Sequence, residues 1–145
     1  MSDDAPLLRQ QVRPEWIDYN GHLSEAYYVL VFGFATDEFM QQVGLGTEYR
    51  AATGCSLYTV EAHVRYLREV GPDTELLVHT RVVDAGPKKV RLCHEMTENG
   101  QLVATEEIMA LHVDDTGATG MPEEVAAQVR ERLEPAPDYA GRSIG

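Results

Sequence analysis

The chain has 145 residues, 43% of them hydrophobic and 25% charged, a composition that suits one soluble globular domain and excludes disorder, collagen-like repeats and a disulfide scaffold. Twelve Lys and Arg against 24 Asp and Glu give a formal net charge of -12, the wrong sign for attraction to nucleic acid or an anionic membrane. Cys55 and Cys93 have neither metal-ligand spacing nor a companion framework, so they read as free thiols of a reducing cytoplasm.

In chain order, Met1 to Pro6 is acidic, without a basic start or an apolar signal core, and no later run approaches the roughly 20 apolar residues of a membrane span. Cytoplasmic location is the expectation. Leu8 to Val12 reads as a short strand. Ser24 is a good N-cap, with Glu25 at the positive end of the dipole, and Gly44-Leu45-Gly46 is a C-terminal stop. Between them apolar side chains cover nearly every side of the first three turns, which predicts a helix buried all round. Gly33 costs that helix about 1 kcal/mol relative to Ala and marks a close backbone approach.

After Cys55 the period becomes two. From Leu57 to Val70, Tyr58, Val60, Ala62, Val64 and Tyr66 share one face, opposite Thr59, Glu61, His63 and Arg65, which predicts a half-buried strand. Gly71-Pro72-Asp73 breaks it. Leu76, Val78, Thr80 and Val82 alternate next, up to the turn Asp84–Pro87. Val90, Leu92, His94 and Met96 follow and stop at Glu98-Asn99-Gly100, a hairpin signal. Leu102 to Val113 is a fourth run. Pro122 opens a polar helix over Glu123 to Leu133, and a mobile tail follows. The fold class is therefore α+β: one long antiparallel sheet curling around one central helix, with residues 1–145 as a single domain, core about 8–114. An edge strand left open asks for a second copy of the chain.

The densest polar group is Trp16-Ile17-Asp18-Tyr19-Asn20-Gly21-His22-Leu23-Ser24. Asp18, on a loop entering a helix, can attack a carbonyl or activate water. The amides near Leu23, Ser24 and Glu25 can polarise that carbonyl, Asn20 can orient it, and His22 can position a partner or titrate. The plain alternative is a tight turn with Asp18 capping loop amides. Glu107 falls in step with Val103, Met109, Leu111 and Val113 on an apolar face, where a charge needs a partner or a task. A structural pairing is the favoured reading there. Glu61 and His63 share the polar face of the long strand, and Asp37 is a weaker candidate. Lys88, Lys89 and Arg91 cluster at a turn as candidate phosphate cations, with Arg65 and Arg68 a second group. His63, His79, His94 and His112 lack ligand spacing, and there is no phosphate loop or dinucleotide fingerprint, so no metal and no redox cofactor are expected.

The Asp18-x-Asn20-Gly21-His22 pattern before a Tyr-bearing apolar helix resembles the hotdog-fold thioesterases, in the branch of 4-hydroxybenzoyl-CoA thioesterase and its acyl-CoA relatives. Tyr58-Thr59-Val60-Glu61, Tyr66-Leu67-Arg68-Glu69-Val70, Ala104-Thr105-Glu106-Glu107 and Leu111-His112-Val113-Asp114 extend the likeness from about Val12 to Asp114. It is nearest to the members acting in carnitine breakdown. The resemblance implies hydrolysis of an acyl-CoA, with CoA entering only as part of the substrate. It also implies a homodimer or tetramer with the site near the subunit interface, and an acyl group such as betainyl. Trp16, Tyr19, Tyr27, Tyr28, Tyr58 and Tyr66 are then the aromatic candidates for a quaternary ammonium. A hotdog dehydratase or hydratase, pairing His22 with Glu61 or Glu107, and a non-catalytic acyl-CoA-binding domain are the competing readings.

Overall fold

The computed structural model describes residues 5–145. A short strand β1 (Leu8–Gln11) and a single 3-10 turn (Pro14–Trp16) precede the long helix α1 (Glu25–Gln42). The helix stops at the expected glycine: Gly44 takes φ +89°, which a Cβ would strain, and the Leu45 amide closes on the Met40 carbonyl at 2.8 Å. A second helix that the periodicity left unassigned, α2 (Thr47–Thr53), follows. Then come β2 (Ser56–Tyr66), β3 (Glu75–Ala85), β4 (Lys89–Glu98), β5 (Gln101–Asp114), the short β6 (Gly117–Ala118) and α3 (Glu123–Arg130). Asn99 and Gly100 both have positive φ between β4 and β5, as a two-residue hairpin turn demands. The sheet order is β1-β3-β4-β5-β2 with β6 on β5, which makes β2 an edge strand. β1 lies antiparallel on β3, Leu8 opposite Val78.

The chain groups into two compact units that each take part of the long strands. The first comprises the chain up to Glu38 with Val64–Thr80 and His94–Glu106. In it, Tyr28, Val31, Phe32 and Ala35 of α1 bury against Leu76, Val78, Met96, Val103 and Ala104, each large side chain contributing about 1.5–3 kcal/mol by leaving water. His94 sits fully buried within this layer, its ring 5.9 Å from Phe32 and stacked on it. Thr36 donates its hydroxyl to the Phe32 carbonyl, so it accepts from His94 Nε2 (2.8 Å), and Nδ1 accepts from Thr80 (2.7 Å). Burial pushes the imidazole pKa down to about 3, so it is neutral and structural. His94→Leu is expected to lower unfolding stability by about 2–4 kcal/mol, because the Thr80 hydroxyl loses its acceptor inside the core. A urea midpoint unchanged from wild type would contradict this role.

Three expectations need correction here. The helix is not buried all round: Ala26, Val29, Leu30, Gly33 and Asp37 are exposed, because α1 covers the sheet with one side only. Nothing lies within 4 Å of a Cβ built on Gly33, so it marks no close approach within the chain. The apolar face of β2 is also open, with Tyr58 at 49% and Val60 at 56% exposure.

A fourth correction concerns β5. Val103, Ala104, Thr105 and Glu106 are buried in succession, after which only alternate residues, Ile108, Ala110 and His112, are fully buried. The inward set is the even one, Ala104, Glu106, Ile108, Ala110 and His112, not the odd set of Met109, Leu111 and Val113. Glu107 is only part-buried, and the carboxyl that points inward is that of Glu106.

In the second unit, His112 Nδ1 donates to the Thr119 carbonyl (2.9 Å) and Nε2 accepts from the Tyr49 hydroxyl (2.8 Å). The C-terminal segment is tied down rather than loose. Leu133 bridges Val82, the Glu134 amide donates to the Val82 carbonyl, and the Gly141 amide donates to Glu107 Oε1 (2.8 Å).

Candidate active site

The loop entering α1 is closed on itself. Ile17 bridges Leu23, the Asp18 amide donates to the His22 carbonyl, and the Gly21 amide donates back to the Asp18 carbonyl, both at 2.9 Å. Gly21 makes the reversal at φ +83°. Asp18 Oδ1 accepts from the amides of Asn20 (2.9 Å) and His22 (3.4 Å), while Oδ2 has no donor among the described residues. One carboxylate oxygen is thus an anchor, and the other is available to a ligand. The capping role and a catalytic role are compatible, because they use different atoms.

The oxyanion candidates divide. The Leu23 amide donates to the Val70 carbonyl (2.7 Å) and the Ser24 amide to the Trp16 carbonyl (3.0 Å), so neither is free. Those bonds fasten the loop to the chain after β2 and to the 3-10 turn. The Glu25 amide stays unpaired among the described residues, and the Ala26 amide joins it in the first turn of α1. Asn20 takes part through its backbone and stays exposed. His22 turns its Nε2 to Glu69 Oε1 at 3.4 Å rather than to Asp18.

The aromatics also separate. Trp16 is 5% exposed, stacked on Tyr27 at 5.4 Å and 12°, with the Arg13 guanidinium 5.8 Å from its ring centre. Trp16 and Tyr27 thus pack on each other, Tyr27 staying part-exposed. Tyr19 projects into solvent at 97% exposure. Tyr28 is buried and donates to the Arg68 carbonyl (3.1 Å). Tyr66 meets Tyr28 edge-on at 5.1 Å, and its hydroxyl donates to the Glu25 carbonyl (3.2 Å), which ties the end of β2 to the start of α1.

Most of the remaining candidates belong to the second unit, with Asp37, Arg65 and Arg68 in the first. Glu61 and His63 line a cleft of about 210 Å³ with Arg91, Glu107, Met109 and Arg142. Arg91 is not a free cation: its Nε donates to Glu107 Oε2 at 2.7 Å and Nη2 meets the same oxygen. Glu107 raises the guanidinium pKa further. The structural pairing expected of Glu107 is therefore with Arg91. Lys88 and Lys89, on the β3–β4 hairpin, are exposed and form no ion pair with a described residue. Tyr58 accepts from Arg50 Nη1 at 2.9 Å. Asp37 is exposed on the outer side of α1.

Sequence reasoning passed over Glu106, the Ala26 amide and Arg142. Glu106 is 6% exposed, and burial raises its carboxyl pKa to about 7. No group of three or more His, Cys, Asp or Glu side chains suited to a metal occurs among the described residues.

Residues 12–129 match the family model of the thioesterase-like superfamily. The chain is 40% identical to a betainyl-CoA thioesterase of Pseudomonas aeruginosa, over 100% of this chain and 97% of that protein. It is 42% identical to an L-carnitine dehydrogenase/betainyl-CoA thioesterase of Agrobacterium fabrum, over 97% of this chain and 31% of that longer protein. Among solved structures, a hypothetical protein from Staphylococcus aureus in complex with CoA superposes with TM-score 0.89 and 25% identity, covering 95% of this chain and 92% of that one. A thioesterase-like crystal structure from Pseudomonas putida gives 0.85 and 32%, covering 97% and 95%.

Proposed function

Because this chain belongs to the thioesterase-like superfamily, we propose that it hydrolyses a short acyl-CoA, betainyl-CoA foremost, to the free acid and CoA. The observation that carries the reading is the split use of the Asp18 carboxylate: Oδ1 is held by two loop amides while Oδ2 has no partner among the described residues. The same loop runs directly into the Glu25 and Ala26 amides of α1, which have no acceptor among the described residues. Those amides are placed to accept the charge that develops on a thioester oxygen. Asp18 Oδ2 then either attacks the carbonyl carbon or takes a proton from the attacking water. Attack expels CoA thiolate and leaves a mixed anhydride that water cleaves. A single turnover in ¹⁸O-labelled water identifies the anhydride route where water cleaves at the Asp18 carbonyl, since only then does label enter Asp18.

The betainyl preference is supported by the full-length identity to the Pseudomonas protein and by the acidic charge of the chain. Lys88 and Lys89 are the proposed cations for the CoA phosphates, Arg91 being held by Glu107. Residues 1–145 act in this reading as one cytoplasmic domain, with CoA entering as substrate and no cofactor. The open β2 edge pairs antiparallel with β2 of a second copy, covering Tyr58 and Val60 and bringing Glu61 and His63 to the interface. A hydratase would need His22 free to move a proton with Glu61 or Glu107, whereas His22 meets Glu69 and Glu107 meets Arg91.

The test is thiol release from acetyl-, benzoyl- and betainyl-CoA. Betainyl-CoA is expected to give the highest kcat/KM. Release no faster than the uncatalysed rate for all three would overturn the hydrolase reading.

A further inference from the structure

Glu106 lies on the inward, even-numbered side of β5, 6% exposed, and among the described residues neither a hydrogen-bond donor nor a cation is paired with it. No fully sealed side-chain oxygen or nitrogen in the described chain lacks a partner. The Glu106 carboxyl, having none, therefore keeps a narrow contact with solvent. Its charge acts on Tyr66 of the adjoining strand β2. Tyr66 in turn leans edge-on against Tyr28 and bonds to Glu25, at the first turn of α1. A lone buried acid on the strand beside Tyr66 is costly unless something neutralises it.

We propose that Glu106, together with the ring of Tyr66, is the subsite that receives a quaternary ammonium head on the acyl group, and so sets the preference for a cationic over a neutral substrate. This rests on the thioesterase reading above. A primary ammonium or a metal ion would need several hydrogen-bond acceptors or ligands, and Glu106 offers one carboxyl. A trimethylammonium group asks only for negative charge and aromatic surface, which Glu106 and Tyr66 supply. The bound cation favours the ionised carboxylate, so recognition strengthens as the acid loses its proton. In the same unit the elements beside it carry Arg65 and Tyr66 on β2, His94, Glu95 and Glu98 on β4, and Glu25, Tyr27, Tyr28, Asp37 and Glu38 on α1. Of these, burial keeps His94 neutral and raises the Tyr28 and Tyr66 phenols, so those three hold one charge state across neutrality.

The experiment compares betainyl-CoA with 3,3-dimethylbutanoyl-CoA, its neutral isostere, in wild type and Glu106→Gln from pH 6 to 8. In wild type the ratio of kcat/KM values, cationic over neutral, is expected to rise about fivefold to tenfold across that range, following ionisation near pH 7. In Glu106→Gln the ratio at pH 8 is expected to fall at least tenfold and lose its pH dependence, with the neutral thioester hydrolysed within threefold of wild type. An unchanged ratio, or an equal fall on both substrates, overturns the inference. If the variant does not fold, the wild-type profile decides, and a flat ratio overturns it. A wild type that hydrolyses neither thioester overturns the thioesterase reading as well. One that hydrolyses both while Glu106→Gln keeps the ratio overturns the Glu106 assignment alone.

Discussion

Asp18→Asn is expected to reduce kcat/KM by roughly 10²–10⁴-fold, the scale of a lost acid–base group, and by more if the carboxylate attacks directly. The substitution is close to isosteric. An asparagine carbonyl in place of Oδ1 still accepts from the Asn20 and His22 amides, so the loop and the thermal midpoint should survive. What disappears is the charge and basicity of Oδ2, the oxygen with no donor among the described residues. Asp18→Ala gives the contrast: it loses the loop bonds too and should be both inactive and less stable. Retention of more than a tenth of wild-type efficiency by a folded Asp18→Asn protein would remove Asp18 from the chemistry.

The second large effect is at the edge of the sheet. Val60 is 56% exposed on β2, the last strand in the sheet order. If β2 pairs with its own symmetry mate, a change there appears twice in one interface. Val60→Asp would place two carboxylates where two apolar side chains were covered. We expect the dimer to weaken at least about a hundredfold, or roughly 2.7 kcal/mol, which sedimentation at micromolar concentration reads directly. Turnover should fall with it, by at least about tenfold, since Glu61 and His63 lie on the same strand. A wild type that sediments as a monomer, or a variant that stays dimeric, would leave the β2 edge with some other role.

Much of the fold is local, which is why it was legible. The glycine stop after α1, the Asn99-Gly100 hairpin and the alternating inward sets of β3 and β4 are written in neighbouring residues. The site was legible only to the loop that carries it. Whether the Leu23 and Ser24 amides are free depends on Val70 and Trp16, and Val70 lies 47 residues from Leu23. Nothing in the spacing of Leu23 announces that partner. Arg91 and Glu107 were read apart, as a phosphate cation and as an acid on an apolar face. Each is the other's counter-ion across neighbouring strands. Glu106 was hidden because the larger apolar side chains Met109, Leu111 and Val113 drew the inward face to the odd positions, whereas the even ones are the buried set. The short α2 was hidden for the opposite reason: seven residues carry too little periodicity to stand out from a loop.

Trp16 is the chain's single tryptophan. It is buried, stacked on Tyr27, and bonded through its carbonyl to the Ser24 amide, two residues along the chain from Asp18. The protein therefore carries an optical reporter beside its candidate acid, with no second indole to blur the signal. Selective excitation should give a blue-shifted emission, as expected of an indole held out of water. Any ligand that tightens or displaces the Asp18 loop would alter the Tyr27 stack and with it the intensity. Titrating free CoA or trimethylglycine against that emission would follow occupancy of the site at equilibrium, without label, turnover or substitution.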